Sequence, residues 1–389
     1  MKVLVVGATG FIAKNLIAAL ENIISGKDKT YDVPQKLSLY KYSRSMGKDR
    51  LKEFCRECSF VFYLAGVNRS DELGEYMQGN VSFLEFILNE LRSQGNACPV
   101  MYASSIQAVL DNVYGESKRS GEDLLERYSQ ETGCAVYIYR LSNIFGKWCR
   151  PAYNSVVATF CYNIARGLPI RIENAEKQLH LHYIDDVVEE CIGLLGRERT
   201  EKIQNPLSVS RIYHVTVKEI ADLIYGFKKS RETKQILDMA KRSFSQRLYS
   251  TYLTYLPEVE LKYAVDMYHD ERGSFTELFR TMERGQISVN ITKPGIVKGE
   301  HWHHTKNEKF IVVSGKGRIM LRQIFSQNIL DFHVSGEQIE VIDIPPGYAH
   351  NIINVGDTDL VTLIWANESF RKEKPDTYSL RVEENEVGE

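Results

Sequence analysis

Lys2-Val-Leu-Val-Val6-Gly7-Ala-Thr9-Gly10-Phe11-Ile12-Ala13 decides how the first half of this chain folds. Val3 to Val6 form a short apolar run, read as a strand buried on both faces. Gly7 and Gly10 interrupt it, and Asn15-Leu-Ile-Ala-Ala-Leu-Glu-Asn-Ile-Ile24 resumes with apolar residues at helical spacing. The turn has the form GxxGxxA. Its first two glycines permit a tight bend and close approach of backbone N–H groups to a pyrophosphate at the helix N-terminus, while Ala13 is small enough for helix to pack on strand. Glycine patterns are common, and this one gains meaning from its place between a strand and a helix. Gly7, Thr9, Gly10, Phe11 and Ile12 are therefore candidate dinucleotide contacts.

Outward from this stretch the pattern repeats. Leu37 to Tyr42, Phe60 to Leu64, Val100 to Ala103 and Val136 to Leu141 read as strands, and Phe83 to Leu91 and Tyr114 to Tyr128 as helices. Strands alternating with helices predict a parallel, doubly wound α/β sheet of the Rossmann type. The texture changes near Lys228-Lys-Ser-Arg-Glu-Thr-Lys234, a solvated, charged stretch. Beyond Tyr263 strand follows strand: Gln286 to Ile291, Lys309 to Val313, Arg318 to Arg322, Gln338 to Ile344 and Asp359 to Trp365. The expectation is an α/β domain over residues 1–245, a connector over 246–262 and an all-β domain over 263–389. A chain of 389 residues has the length for two cores.

A formal charge of −2 offers no footprint for nucleic acid or an anionic membrane, so neither is expected as a partner. The seven cysteines all lie in the first half with no regular framework, as in a reducing compartment. Cys55-x-x-Cys58 lacks the second pair that a zinc ribbon needs and reads as ordinary thiols. Val3 to Val6 is too short for a signal segment or a membrane span, so a cytoplasmic protein is expected.

NAD sites usually place an acidic residue after the second strand. Here that strand runs into Ser43-Arg44-Ser45, and Asp28, about twenty residues past the glycines, sits in a loop before it. Arg44, with Ser43, is placed to meet a 2′-phosphate, which favours NADPH. Tyr114-Gly-Glu-Ser-Lys118 puts a phenol and an ammonium on one helical face. The cation should favour the phenolate and could also bind the nicotinamide ribose. A second match, Tyr225-Gly-Phe-Lys-Lys229, reads as a helix end without chemistry. Tyr114 differs because it follows the strand ending in Ser104-Ser105, at the carboxyl end of the sheet. Ser105, Tyr114 and Lys118 are the candidate catalytic set, Ser104 remaining an alternative to Ser105.

With Leu64-Ala65-Gly-Val-Asn68, Asn80-Val81, Arg140-Leu-Ser-Asn143-Ile-Phe-Gly146 and His182-Tyr-Ile-Asp185-Asp186-Val187, residues 1 to about 245 resemble an extended short-chain dehydrogenase/reductase of the nucleotide-sugar type. The resemblance implies cofactor contacts from Leu64 and Ala65 and substrate contacts from Asn68, Asn143 and His182. Two features depart from it. Only nine positions separate Ser105 from Tyr114, and Ile106-Gln107 stand where the dehydratase branch carries an Asp-Glu pair. Dehydration lacks its acid and base, which leaves oxidation or reduction.

In the second half, His301 and His303 alternate on an expected strand, Glu308 follows a Lys306-Asn307 turn, and His350 follows the Pro346-Gly347 turn. Three imidazoles and a carboxylate suit one divalent metal, zinc foremost, with nickel, iron or manganese open by ligand type. The spacing Gly295-x5-His301-x-His303-x4-Glu308-x6-Gly315, then Pro345-x-Gly347-x2-His350-x3-Asn354, resembles the cupin family and implies a jelly-roll barrel. Ile339 stands where the second cupin motif has its leading glycine. Asp270-Glu-Arg272-Gly273-Ser-Phe275-Thr-Glu277 and Lys298-Gly299-Glu-His301 resemble its nucleotide-sugar 3,5-epimerase branch, with Lys298 in place of an arginine and a candidate substrate contact. Those epimerases use a histidine base and no metal. His301 cannot serve as both, and the metal is preferred.

The domain order and the stretch Gly146-Lys-Trp-Cys-Arg-Pro-Ala-Tyr-Asn-Ser155 resemble bifunctional capsular-polysaccharide biosynthesis enzymes. That resemblance implies a UDP-linked 4-keto-6-deoxy-N-acetylhexosamine substrate. A UDP-2-acetamido-2,6-dideoxy-4-hexulose would be epimerised at C3 and reduced at C4 with NADPH to UDP-2-acetamido-2,6-dideoxy-β-L-talose, by a homodimer with the cupin domain at its interface. Two other readings stay open: a reductase whose cupin is a metal-stabilised dimerisation or sugar-binding module, and an NADP-sensing scaffold. His304, Asp270, Glu277 and several tyrosines are all possible epimerase bases.

Overall fold

The structure, a computed structural model, describes the chain except residues 34–35, 69–71, 199, 201–202, 238, 282, 372 and 384–389. It divides into two compact units, Met1–Tyr225 with Lys241–Pro257, and Gly226–Ala240 with Glu258–Glu389.

The first unit is built on β1 (Lys2–Val6), α1 (Phe11–Ile24), β2 (Ser38–Tyr42), α2 (Gly47–Glu57), β3 (Phe60–Tyr63), α3 (Leu73–Met77), α4 (Phe83–Ser93), β4 (Val100–Ser105), α5 (Val113–Thr132) and β5 (Val136–Leu141). Its five strands form a parallel sheet in the order β2-β1-β3-β4-β5. Val3 to Val6 and Phe60 to Tyr63 are buried because helices cover both faces, which is why these strands read as continuous apolar runs. On one face Leu4, Val6, Val61, Tyr63, Val100 and Tyr102 pack with Leu51 and Phe54 of α2, Leu84 to Leu91 of α4 and Leu125 and Tyr128 of α5. Each such side chain contributes roughly 1.5–3 kcal/mol by burial. The strand order reverses between β1 and β3, and ligands bind at the carboxyl ends of strands beside such a switch.

A smaller sheet follows: β6 (Asn143–Phe145) parallel to β7 (Gln178–Tyr183), which is antiparallel to β8 (Tyr213–Thr216). It is accompanied by α6 (Val156–Ala165), α7 (Ile184–Gly193), α8 (Val217–Glu232) and α9 (Phe244–Leu253). Lys228–Glu232 is the end of α8, whose residues from Gly226 on belong to the second unit; Lys229 and Glu232 are exposed while Phe227 and Ser230 are buried. Residues 246–253 of the expected connector lie in α9, in the first unit. Cys55 and Cys58 are buried free thiols, and burial, with Cys58 and Glu90 adding to it, pushes the Cys55 thiol up to about 12.

The second unit carries β9 (Tyr268–Asp270), β10 (Gly273–Arg280), β11 (Gln286–Thr292), β12 (Val297–Trp302), β13 (Glu308–Ser314), β14 (Lys316–Gln323), β15 (Ile329–Ser335), β16 (Val341–Ile344), β17 (Tyr348–Asn354), β18 (Leu360–Ala366) and β19 (Tyr378–Ser379). They make two antiparallel sheets, ordered β16-β13-β18-β11-β10-β9 and β15-β14-β17-β12-β19. Phe310, Val312 and Leu360 of the first sheet pack with Ile319, Leu321, Val334 and Ile352 of the second, so the core lies between them. The strand expected over Gln338 to Ile344 is shorter, starting at Val341.

Candidate active site and metal centre

In the first unit, Gly7 has φ +88°, and a Cβ there would lie 2.7 Å from the Ala65 nitrogen. Glycine thus lets the turn after β1 touch the loop after β3, at the switch point. Gly10 caps α1 without any side-chain hydrogen bond, and the first turn carries no acidic residue. The N–H groups there retain the positive end of the helix for an anion. Asn80, fully buried in a π-helical turn, accepts from Val67 N (2.8 Å) and donates to Val67 O (3.1 Å) and Ser117 Oγ (3.0 Å), fixing the loop that holds Leu64 to Asn68. Arg44 is exposed just beyond β2, and its guanidinium lies 3.7 Å from where a Cβ on Gly79 would stand.

Ser105, Tyr114 and Lys118 come together. The short Ser105–Tyr114 spacing is met by a 3-10 turn over Ile106–Val109, on which α5 lies so closely that a Cβ at Gly115 would sit 2.3 Å from Gln107 O. Ser105 Oγ accepts from Gln107 N (3.1 Å) and lies close enough to Tyr114 to influence its phenol. Ser104 is engaged elsewhere, donating to buried Glu122, which also pairs with Arg140 at 2.6 Å. Lys118 Nζ donates to Ala103 O at 2.9 Å and stands 5.9 Å from the centre of the Tyr114 ring.

The electrostatics reverse one expectation. Burial raises the Tyr114 phenol above its ordinary value, against the nearby Ser105 hydroxyl, which lowers it. Burial also brings Lys118 down to about 8, against the raising influence of Glu122. Burial favours the neutral phenol of Tyr114, where the nearby cation was expected to favour phenolate. Asn143 is exposed at the start of β6, beside Leu181 of β7. His182 is buried, donates through Nδ1 to Arg211 O at 2.8 Å, and is depressed by that burial. Tyr225 of the second YxxxK match is an exposed residue of α8.

In the second unit His301, His303, Glu308 and His350 converge, with ligand atoms all within 4.8 Å of one another. His301 lies opposite His350 in the β12–β17 ladder, and Glu308 opens β13 on the other sheet. His303 is not on the strand as expected; β12 ends at Trp302. A bulge between Gly299 and His301, with Glu300 at φ +59°, breaks the alternation of β12. Lys298 and His301, three residues apart, can thereby both line one cavity of about 480 Å³, together with Asp270, Asn290, Glu308 and Phe310.

Glu308 Oε2 is 3.5 Å from His303 Nε2 and 3.3 Å from His350 Nε2. Both nitrogens are buried without a hydrogen-bond partner. The opposite nitrogens, Nδ1 of His303 and His350, face the carbonyls of Asp376 and Tyr348. A carbonyl only accepts, so Nδ1 carries the proton and the Nε2 lone pair points into the cluster. Burial, then the neighbouring His350 and His303, brings His301 down to about 4, a neutral ligand at neutral pH. Burial works to raise Glu308, but the close approach of the His303 and His350 rings outweighs it and holds the carboxyl well below its usual range. Deprotonated imidazoles and an ionised carboxylate are the donor set a divalent ion requires. Sequence reasoning missed Asp376 and Glu300 entirely.

Of the possible bases, Asp270 reaches the cavity but is paired bidentately with Arg272 at 2.6 and 3.0 Å. Glu277 is paired with Arg280, and exposed His304 packs on Trp302 and Tyr378. Lys298 Nζ donates to Asn290 Oδ1 (2.9 Å) and Ile291 O (2.8 Å), and burial lowers it.

A parallel sheet with a dinucleotide turn and a Ser/Tyr/Lys set defines a nicotinamide-dependent enzyme of the short-chain class. Residues 3–209 match the NAD dependent epimerase/dehydratase family and residues 268–378 the polysaccharide biosynthesis C-terminal domain. The chain belongs to the NAD dependent epimerase/dehydratase family, and its cofactor is a nicotinamide dinucleotide. It is 41% identical to the UDP-2-acetamido-2,6-beta-L-arabino-hexul-4-ose reductase of Pseudomonas aeruginosa, over 99% of this chain and 100% of that protein. It is also similar to the crystal structure of the capsular polysaccharide assembling protein CapF from Staphylococcus aureus. There the identity is 45% and the TM-score 0.88, over 98% of this chain and 100% of the other. Among the described residues no helix is long and apolar enough to cross a membrane.

Proposed function

We propose that the chain is a bifunctional nucleotide-sugar enzyme. Its second unit epimerises a UDP-2-acetamido-2,6-dideoxy-4-hexulose at C3, and its first reduces C4 with NADPH, giving UDP-2-acetamido-2,6-dideoxy-β-L-talose. The observation that carries the reading is the convergence of Ser105, Tyr114 and buried Lys118 at the carboxyl end of the parallel sheet, with Lys118 Nζ 5.9 Å from the centre of the Tyr114 ring, in a chain alike along its whole length to a protein named as a UDP-hexul-4-ose reductase. Asn68, Asn143 and His182 would contact the substrate.

Reduction needs a proton donor, and a phenol raised by burial is a protonated one. As hydride reaches C4, the carbonyl oxygen takes the Tyr114 proton while Ser105 holds that oxygen in place. The phenolate left behind is the species that the Lys118 ammonium stabilises. Ser43-Arg44, in place of an acidic residue after β2, favours the 2′-phosphate of NADPH over the hydroxyl of NADH.

In the second unit, epimerisation removes the C3 proton beside the C4 ketone and returns one to the opposite face. His301, His303, Glu308 and His350 would hold zinc, whose charge would either stabilise an enolate oxygen or secure the two sheets. Lys298 lines the same cavity, where the sugar would lie. The protein would work in the cytoplasm as a homodimer joined through this unit.

The test uses the full chain and the keto sugar in D2O without NADPH, with NMR at C3. Deuterium should appear at C3, and added NADPH should then be oxidised. NADPH oxidation with no deuterium incorporation would leave a reductase whose second unit only binds sugar or joins subunits. Turnover of neither kind would leave a cofactor-sensing scaffold.

A further inference from the structure

The segment after β18 returns to the four-residue cluster. β19 adds to the edge of β12, with Ser379 opposite His301 and Tyr378 opposite Trp302. Leu380 N donates to Glu300 O (2.9 Å), Val382 N to Glu300 Oε2 (2.7 Å), and Arg322 Nε to Val382 O (2.7 Å), so this strap is tied at several points. Just before β19, the carboxylate of Asp376 accepts four hydrogen bonds from the loop that follows His303. The donors are the N–H groups of His304, Thr305 and Lys306, each at 3.0 Å, and the Thr305 hydroxyl at 3.1 Å. The backbone carbonyl of the same residue accepts from His303 Nδ1.

We propose that Asp376 is a positioning residue for the metal centre: its carboxylate replaces the missing strand partner of residues 304–306, and its carbonyl orients the His303 imidazole. The inference rests on reading His301, His303, Glu308 and His350 as metal ligands. His303 lies one residue past β12, its carbonyl still accepting from Gly347 N at 2.8 Å, while His304 to Lys306 lie between β12 and β13 and belong to neither strand. An ionised carboxylate meeting three N–H groups is a stronger anchor than neutral contacts. The Asp376 φ of +43° is one that aspartate, asparagine and glycine adopt more readily than other residues. The arrangement is a carbonyl–histidine relay of the kind that fixes ligand tautomers, supplied from 73 residues away.

The experiment compares the full-length parent with Asp376→Ala, Asp376→Gly, Asp376→Asn and His350→Ala. Each is stripped by a chelator and then titrated with Zn²⁺ against a chromophoric competitor at neutral pH, its fold checked by circular dichroism. Asp376→Ala and Asp376→Gly should weaken Zn²⁺ binding about 10- to 100-fold, the usual cost of losing a group that orients a ligand. Asp376→Gly keeps the backbone conformation accessible, so its loss would trace to the carboxylate. Parental affinity in both variants, with affinity lost in His350→Ala, would overturn the role of Asp376. Equal, weak binding by the parent and His350→Ala would instead remove the metal site and the proposal with it. Should the Ala and Gly variants fail to fold, Asp376→Asn carries the test: a several-fold loss is expected, and parental affinity overturns the proposal.

Discussion

The two candidate sites are built in opposite ways. Ser105, Tyr114 and Lys118 come from one strand end and the helix that follows it, within residues 105 to 118. His301, His303, Glu308 and His350 come from both sheets of the second unit, over residues 301 to 350, with a pin at Asp376. In the first case the fold is complete without the functional side chains, because the parallel sheet and its covering helices bury the core on their own. In the second, buried imidazole nitrogens and a buried carboxylate sit between the sheets, so the site is part of what holds them. An uncharged side chain in the first site should therefore matter to chemistry alone, buried Lys118 to stability also through its proton, and one in the second site to chemistry and stability together.

The largest effect should break that comparison most visibly if it fails. Tyr114→Phe removes only a hydroxyl and should lower NADPH-dependent reduction by about 10²- to 10⁴-fold, the range for loss of a positioned acid. Its melting transition should match the parent, checked by calorimetry beside NADPH absorbance. Retained turnover would move the proton donor elsewhere. His350→Ala should lower zinc affinity by more than about 100-fold, since even outer-shell changes cost up to that. It should also destabilise the second unit through loss of the ion that side chains of both sheets would share. Calorimetry should show the first unit's transition unmoved; parental zinc stoichiometry would remove His350 from the ligands. Arg44→Glu should raise KM for NADPH about 10-fold or more, the value of a hydrogen bond to a charged group, with a far smaller change for NADH. Equal changes for both cofactors would show that Arg44 does not face a 2′-phosphate.

The same contrast explains what could be read from the amino-acid sequence. Gly7, Gly10 and the Tyr114–Lys118 pair were legible because their meaning is local: a strand-turn-helix and an i,i+4 spacing. His301, His303, Glu308 and His350 were legible as residue types, yet their geometry was not. Alternation predicted His301 and His303 side by side on a strand, whereas the Glu300 bulge and the end of β12 at Trp302 place them by other means. Asp376 carries no spacing signal, since its partners lie about 70 residues away. β15 escaped notice because Leu330 to His333 are exposed, so little apolar alternation marks an edge strand. Ser104 and Ser105 could not be told apart until Glu122, 18 residues on, was seen to take Ser104.

The smallest effect tests whether the first site really separates chemistry from stability. Lys118 is fully buried and depressed to about 8, from an ordinary lysine value near ~10.4. Below pH 8 it is an ammonium that can stabilise the Tyr114 phenolate left after reduction; above pH 8 it is neutral and cannot. kcat/KM for reduction, which reports ionisations of the free enzyme, should be level up to about pH 8 and fall beyond it. Stability should move the other way. Between pH 8 and about 10.4 the unfolded chain still binds this proton while the folded one has released it, so the Lys118 contribution to stability rises with pH through that window. In Lys118→Met the fall near pH 8 should disappear from a profile that is low throughout, and the stability rise should vanish with it. A parent whose kcat/KM holds level to pH 9.5 would show that the ammonium is not needed, and Tyr114 would then have to act without it.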